Sequence, residues 1–231
     1  MRLIAVLCAC FALAGLASSA ASQAPSPVVR AGVTLDPQGL IPAPLLDEAL
    51  ASLNAHQGQV TFTDAIGVVD LSADSFQKRF YVLDLKTGAV SAYRVSNGKG
   101  SDPDHNGLID PAPGKRNGVS NAKNTQATSS GAFLMAENRT HNGWAARGLD
   151  GLDPSNSNAR ARQILVHGAS YVTDAWIKEH GGVVGRSCGC FALPPQDLAA
   201  VFAMLPRGAL IYAGPASVRT LVDPPQFDCT G

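Results

Sequence analysis

The sequence places a thiol and an imidazole where they could act together on a carbonyl group. Cys190 ends the segment of residues 185–190, Gly-Arg-Ser-Cys-Gly-Cys, and His167 follows the largely apolar run of residues 163–166. A cysteine nucleophile needs a base that removes its proton and N–H groups that stabilise the oxyanion. His167 is the predicted base, and Gly189 leaves the backbone N–H groups of the turn accessible. The pattern therefore predicts covalent acyl chemistry at Cys190.

The neighbours of Cys190 favour this interpretation and leave alternatives open. Arg186 could lower the pKa of the thiol or hold an anionic group of a substrate. Helix-forming sequence is expected soon after the thiol, within residues 191–198. A buried cysteine can instead be a small apolar core residue, and a histidine at a strand end can be structural. A zinc site is disfavoured, because Cys188 and Cys190 are separated by a single residue, which is poor spacing for tetrahedral ligands.

A polar segment further upstream resembles the beginning of a calcium-binding loop. Its oxygen-bearing side chains have the spacing of loop positions 1, 3, 5 and 9: Asp102, Asp104, Asn106 and Asp110. Pro113 occupies position 12, where such loops carry a bidentate glutamate. We expect a polar turn without a metal, and a weak calcium site is the alternative.

The amino-terminal residues have the composition of a secretory signal peptide. A basic start is followed by an apolar run over residues 3–16 and by small residues over 17–22, with cleavage expected near Ala21. The run is too short to span a bilayer comfortably, and no later segment is predicted to do so. We expect residues 1–21 to be removed, residues 22–57 to form a linker and a helix, and residues 58–231 to form one catalytic domain.

The charge of the chain argues against a nucleic-acid partner, and its cysteine content predicts how many disulfides it can form. Lys and Arg together number 18, as do Asp and Glu, and no basic block indicates a nucleic-acid partner. Three cysteines remain after loss of the signal peptide: Cys188, Cys190 and Cys229. An exported compartment is oxidising and favours disulfides, and three cysteines can form at most one disulfide within the chain. We favour Cys188–Cys229, because residues two apart are hard to bridge, which leaves Cys190 free. Three reduced cysteines are the alternative.

Hydrophobic periodicity predicts a mainly β fold with a few peripheral helices. The predicted strands are residues 66–71, 79–85, 90–95, 131–136, 163–166 and 209–213, with a hairpin turn at 86–88. The predicted helices are residues 42–56, 172–180 and 194–205, the first and last of which begin at proline. Residues 98–127 form a long polar loop, of a kind that is usually functional or mobile.

Five motifs follow one another along the chain: Phe-Tyr-Val-Leu-Asp at 80–84, Ser-Asn-Gly-Lys-Gly at 96–100, Ser-Ser-Gly-Ala-Phe at 129–133, Val-His-Gly at 166–168 and Gly-Arg-Ser-Cys-Gly-Cys at 185–190. In this order they resemble the L,D-transpeptidase (YkuD-like) catalytic domain and, within it, the murein L,D-transpeptidase catalytic domain branch. The resemblance implies an L,D-transpeptidase-like β-sandwich. Two residues depart from the common form of the family: Cys188 stands where that form has histidine, and Phe191 begins a segment where that form often has arginine.

The resemblance implies transfer of peptidoglycan stem peptides through a cysteine thioester, without a cofactor. His167 takes the proton of Cys190, the thiolate attacks a stem carbonyl, and N–H groups at Gly189 and Cys190 hold the oxyanion. Ser187 shapes the turn and helps to orient His167. The carbonyl of Gly168 fixes the tautomer of that histidine.

Substrate contacts are expected from Arg186, Gly168 and Tyr171. The implied partners are donor and acceptor stem peptides in the periplasm or cell envelope of a bacterium, with no stable membrane span. An amine acceptor gives a cross-link, whereas water as acceptor makes the protein an L,D-carboxypeptidase. A catalytically silent peptidoglycan-binding module of the same fold is the alternative from another class.

Overall fold

The structure, a computed structural model, describes residues 27–109, 118–218, 220–221 and 226. The predicted signal peptide at residues 1–21 lies outside these residues and stays a prediction. Within the described part of the chain, no helix combines the length and the apolar character that a bilayer crossing requires.

The main element of the fold is one mixed sheet of eight strands, accompanied by a separate two-stranded hairpin. The strands are β1 (Val28–Arg30), β2 (Val33–Leu35), β3 (Ala65–Asp70), β4 (Lys78–Asp84), β5 (Val90–Arg94), β6 (Gly131–His141), β7 (Trp144–Gly151), β8 (Leu165–Gly168), β9 (Phe191–Leu193) and β10 (Leu210–Gly214). β1 and β2 form the hairpin, and the order in the sheet is β5-β4-β3-β10-β6-β7-β8-β9. β10 pairs with β3 and β8 pairs with β9 in parallel, while the other neighbours are antiparallel.

The two ends of the sheet share one apolar core. Phe80 of β4 and Phe191 of β9 belong to the same cluster of buried side chains. Phe191 meets Phe133 of β6 edge to face, with the ring centroids 5.4 Å apart. Strands that are far apart in the sheet therefore pack against each other, as the layers of a sandwich do. The predicted mainly β class with few helices is confirmed.

Three α-helices accompany this sheet: α1 (Ala43–Ala55), α2 (Asp174–Glu179) and α3 (Leu198–Met204). α1 buries Leu45, Leu46, Ala49 and Leu53 in a second apolar cluster on the sheet. Its position agrees with the helix predicted over residues 42–56. α2 and α3 are shorter than predicted, because Ser170–Val172 and Pro195–Asp197 form 3₁₀ turns instead of α-helix.

Two parts of the sheet differ from the sequence prediction. β6 continues well past the predicted strand at 131–136 and pairs with β7 in a long hairpin. β9 occupies the beginning of residues 191–198, where helix-forming sequence was expected, so that expectation is wrong for these three residues. Phe191–Leu193 is fully buried and pairs with β8, and these ladder hydrogen bonds replace those of a helix. Residues 28–35, predicted as linker, form the β1–β2 hairpin.

A buried arginine ties the first strands of the sheet to the turn that carries Cys190. Arg79 of β4 is fully buried and donates hydrogen bonds to three backbone carbonyls and to the side chain of Asn97. Burial lowers the pKa of Arg79 to about 10, so the guanidinium remains charged at neutral pH. The Asn97 carbonyl accepts a hydrogen bond from the N–H of Ser187 at 2.9 Å. The turn is thus anchored to a segment some 90 residues earlier in the chain.

Candidate active site

Parallel pairing of β8 with β9 brings the predicted base and nucleophile to one face of the sheet. Val166 of β8 lies opposite Phe191 of β9. Side chains alternate between the two faces along a strand, so His167, after this pair, and Cys190, before it, both point to the other face. Both side chains line a cavity of about 530 Å³. The structure therefore brings the two predicted residues together in one site.

His167 is held as a neutral base. Its Nδ1 lies 2.9 Å from the carbonyl oxygen of Gly168, which can only accept a hydrogen bond. Nδ1 therefore carries the proton and Nε2 carries the free lone pair, as predicted for this glycine. Burial lowers the pKa of His167 to about 4, and the neighbouring His141, whose ring centroid is 4.4 Å away, acts in the same direction. A neutral imidazole of fixed tautomer is suited to general-base catalysis at neutral pH.

Cys190 is a free, buried thiol. Its Sγ donates to the carbonyl oxygen of Gln163 at 3.7 Å. Burial raises the pKa of the thiol to about 11, while the N–H of Leu165 and the charge of Arg162 oppose this shift. Without substrate, the pair consists of a neutral thiol and a neutral imidazole. A nucleophile of this kind would have to lose its proton during the attack and not beforehand.

The turn before Cys190 is built by the hydroxyl group of Ser187. Ser187 Oγ donates to the Cys190 carbonyl oxygen at 2.7 Å and accepts from the N–H of Gly189 at 3.1 Å. The predicted role of Ser187 in shaping the turn agrees with these bonds. Its role in orienting His167 stays a prediction, and the imidazole itself is hydrogen-bonded to the Gly168 carbonyl. The N–H of Gly189, expected to hold the oxyanion, is engaged by Ser187 and reaches a substrate oxygen only if that bond is exchanged.

Gly189→Ala is expected to lower stability by about 1–3 kcal/mol and to remove most of the activity, because the turn must shift. Gly189 has a φ of +108°, and a Cβ there would lie 2.5 Å from the Ala127 carbonyl oxygen and 2.8 Å from a guanidinium nitrogen of Arg162. Thermal unfolding measures the first effect. Gly182→Ala is the matched control, since Gly182 also has a positive φ, +87°, but no atom near the added methyl. An equal loss of stability in both variants would contradict the role assigned to close packing at Gly189.

Arg162 is a site residue that the sequence analysis missed. It lies in the segment before β8, lines the cavity, and donates to the carbonyl of Ser120 at 2.8 Å and to the hydroxyl of Ser129 at 2.6 Å. Its charge lowers the pKa of the Cys190 thiol, a role that the sequence analysis gave to Arg186. No sequence signal separates Arg162 from Arg160, which the fold instead pairs with the carboxylate of Asp150 at the surface.

Arg162→Met is expected to slow alkylation of Cys190 at pH 8 by about three- to tenfold, because loss of the charge raises the pKa of the thiol further. Iodoacetamide labelling, followed by peptide mass spectrometry, measures the rate. Arg160→Met is the matched control, because it removes an exposed guanidinium two residues away. A slower rate in both variants, or in neither, would contradict the assignment of the charge effect to Arg162.

The residues expected to bind substrate have different positions around the cavity. Arg186 and Tyr171 line it directly. Burial, together with the nearby Cys190, raises the pKa of the Tyr171 hydroxyl, which therefore stays a neutral hydrogen-bond donor. Gly168 is not among the described residues that line the cavity, and its substrate contact stays a prediction. Its role is to hold His167 through its carbonyl and to leave room for Leu198, whose Cδ1 would lie 2.7 Å from a Cβ at this position.

Left-handed backbone conformations concentrate in the cavity wall. Of the seven non-glycine residues with positive φ in the described chain, four line the cavity: Asn124, Gln126, Asn142 and Gln163. Such conformations cost free energy and persist where the backbone has to present particular groups. Gln163, with a φ of +55°, directs its carbonyl to the Cys190 thiol. This concentration supports the cavity as the functional site.

The predicted disulfide is described only in part. Cys188 is disulfide-bonded, and Cys190 is free, as the sequence analysis expects. Cys229 lies outside the described residues, so its pairing with Cys188 stays a prediction.

The segment that resembles a calcium loop uses its first carboxylate to organise its own backbone. Asp102 is buried and accepts hydrogen bonds from the N–H groups of Asn106 at 2.9 Å and Gly107 at 3.0 Å. Asp110 lies outside the described residues. In the part of the chain that the structure describes, no three His, Cys, Asp or Glu side chains are grouped to hold a metal ion, so the zinc alternative finds no support there.

Comparison with known proteins gives one family match and several structural relatives. A family model described as an L,D-transpeptidase catalytic domain matches residues 39–213. The L,D-transpeptidase from Mycobacterium smegmatis is 18% identical over 66% of this chain and 59% of that chain, with a TM-score of 0.37. L,D-transpeptidase 1 from Mycobacterium tuberculosis is 18% identical over 64% of this chain and 60% of that chain, with a TM-score of 0.33. Bd1075 from Bdellovibrio bacteriovorus is 12% identical over 70% of this chain and 51% of that chain, with a TM-score of 0.40. The chain thus spans less than two thirds of the length of each relative, and no curated protein gives a significant match.

Proposed function

The chain belongs to the L,D-transpeptidase catalytic-domain family, and we propose that it is an exported peptidoglycan L,D-transpeptidase with Cys190 as its nucleophile. The observation that carries this proposal is the cavity in which a free thiol and a neutral imidazole of fixed tautomer lie on one face of two adjacent strands. A module that only bound peptidoglycan would have no need for this pair. The amino-terminal composition of the chain supports the exported location.

In the first half-reaction the stem peptide acylates the enzyme. Nε2 of His167 takes the proton of the Cys190 thiol as the sulfur attacks the carbonyl of the L-centre that is bonded to the terminal D-Ala. The C–N bond breaks, the D-Ala amine leaves with the proton from His167, and a thioester remains on Cys190. The imidazole returns to its neutral form, which its buried position favours.

In the second half-reaction an amine of a neighbouring stem attacks the thioester. His167 accepts the proton from the attacking amine and returns it to the departing Cys190 sulfur, so the enzyme is restored. Because the free thiol has a raised pKa, the thiol form is regained at neutral pH. Attack by water in place of the amine would give an L,D-carboxypeptidase.

Incubation of the protein with defined muropeptides, followed by mass spectrometry of products and of intact protein, tests the proposal. The expected result is an acyl adduct on Cys190 together with muropeptide dimers whose fragmentation identifies the joined residues. Loss of D-Ala without dimers would replace the transpeptidase by a carboxypeptidase. A folded protein that forms neither adduct nor product would favour the binding module and overturn the proposal.

A further inference from the structure

We propose that Lys99 and Lys123 form a carboxylate-binding subsite, so that the acyl donor is an acidic stem peptide and not its amidated form. This inference rests on the proposed function and concerns the same cavity. The two lysines line the cavity together with Arg162 and Arg186, and among the residues that the structure describes no Asp or Glu lines it. Since the whole chain has a formal net charge of +0, this positive charge is a local property of the cavity.

The two arginines are already used by the protein. Arg162 donates from both terminal nitrogens to backbone and hydroxyl oxygens, and Arg186 donates to the carbonyls of the loop at Asp102 and Pro103. The lysines differ, because no described carboxylate forms a salt bridge with either ammonium group. Both lysines are exposed at the cavity. They are therefore the cations that a ligand can pair with most readily.

The backbone of Lys99 is hydrogen-bonded to the turn that carries Cys190. Its N–H donates to the carbonyl of Ser187 at 2.8 Å, three residues before Cys190. Gly98 and Gly100 on either side allow the chain to press against the segment that carries Lys123. A Cβ on Gly98 would lie 2.3 Å from the Gln126 carbonyl oxygen, and one on Gly100 would lie 1.9 Å from that of Thr125.

Lys123 is presented by a segment that is anchored at both sides. Asn121 donates to the carbonyl of Pro154 at 2.9 Å and accepts from the N–H of Asn158 at 2.9 Å. On the other side, Thr128 Oγ1 accepts from the N–H of Gly98 at 2.9 Å. The backbones that carry the two ammonium groups are thus fixed to each other and to the catalytic turn. Carboxylates on a stem peptide, held near its reacting carbonyl, have the complementary charge.

Two synthetic stem tetrapeptides test the inference; both end in diaminopimelate–D-Ala and differ only in a side-chain carboxylate or carboxamide on the diaminopimelate. We expect the unmodified protein to prefer the carboxylate donor in kcat/KM by about tenfold or more. Lys99→Gln and Lys123→Gln should each reduce this preference about three- to tenfold, mainly through a higher KM for the carboxylate donor. Lys99→Arg and Lys123→Arg should restore it.

Lys178→Gln is the matched control, since Lys178 lies on α2 and not in the cavity wall. Equal kcat/KM for the two donors, or an equal loss on both donors in the lysine variants, would overturn the inference while acyl-enzyme formation still supported the proposed function. Calorimetric binding of the same two peptides to Cys190→Ala keeps the inference testable if no turnover is found. Equal affinities in that experiment would also overturn it.

Discussion

Cys190→Ala is expected to form no acyl-enzyme and to lose about four orders of magnitude of turnover or more. In the proposed mechanism the sulfur bonds to the stem carbonyl, and the methyl group of alanine cannot replace it. The fold should persist, because Cys190 packs in a small cluster with Ala146 and Leu165 where alanine also fits. Intact-protein mass spectrometry after addition of stem peptide measures the adduct, and thermal unfolding checks the fold.

Cys190→Ser is the control that separates nucleophile strength from geometry. Serine can still donate to the Gln163 carbonyl, as the thiol does at 3.7 Å, but its hydroxyl is far less readily ionised. We expect it to be folded and also inactive. Dimer formation by a folded Cys190→Ala variant would assign the chemistry to another residue and remove the proposed mechanism.

His167→Gln is expected to lower kcat/KM at pH 7 by about 10²–10⁴-fold. Glutamine retains an N–H that can donate to the Gly168 carbonyl, as Nδ1 does in the unmodified protein, but it cannot take up a proton. The loss should therefore report the base and not a change of fold. Steady-state rates with the stem peptide measure it, and alkylation of Cys190 above pH 11 should remain normal, because there the thiol ionises without help.

The pH dependence of kcat/KM in the unmodified protein and in His167→Gln is a second test of His167 as the base. In the unmodified protein kcat/KM should stay constant through the neutral range and fall only as the pH approaches about 4, where the free enzyme's His167 becomes protonated. In His167→Gln the thiolate arises by ionisation alone. Its rate should rise about tenfold per pH unit towards the pKa of Cys190. A pH profile in this variant as flat as that of the unmodified protein would exclude His167 as the base.

Local patterns in the sequence were sufficient for the elements that depend on near neighbours. The hairpin of β4 and β5 follows from two apolar runs around the turn at residues 86–88, and α1 follows from its proline and its apolar spacing. The pairing of a histidine after a short strand with a cysteine in a glycine turn also predicted which side chains meet in the cavity. The hairpin and the helix are each encoded within a few residues, and His167 and Cys190 are each marked by a local motif of their own.

The missed features depend on contacts between distant segments. Phe191–Leu193 is a strand because β8 offers a free edge beside it, and no periodicity can be read from three residues. β7 contains Arg147 and several small residues, so it lacks the strong apolar signal of β4. Arg162 enters the site only because the loop of residues 118–129 wraps around its guanidinium. Sequence spacing alone cannot distinguish it from Arg160.

The attachment of the catalytic turn to Asn97 has a consequence for when the enzyme becomes active. The turn needs contacts with segments that are distant in sequence: Asn97 and its support Arg79, and Arg162, which meets the Ala127 carbonyl next to Gly189. Closing such large loops costs entropy, and long-range contacts form slowly during folding. A chain that has only its local hairpins and helices therefore holds its thiol and its imidazole in no fixed relation. Under the proposed function, acyl transfer can begin only with the completed fold, so we expect newly made, partly folded chains not to attack the peptides around them.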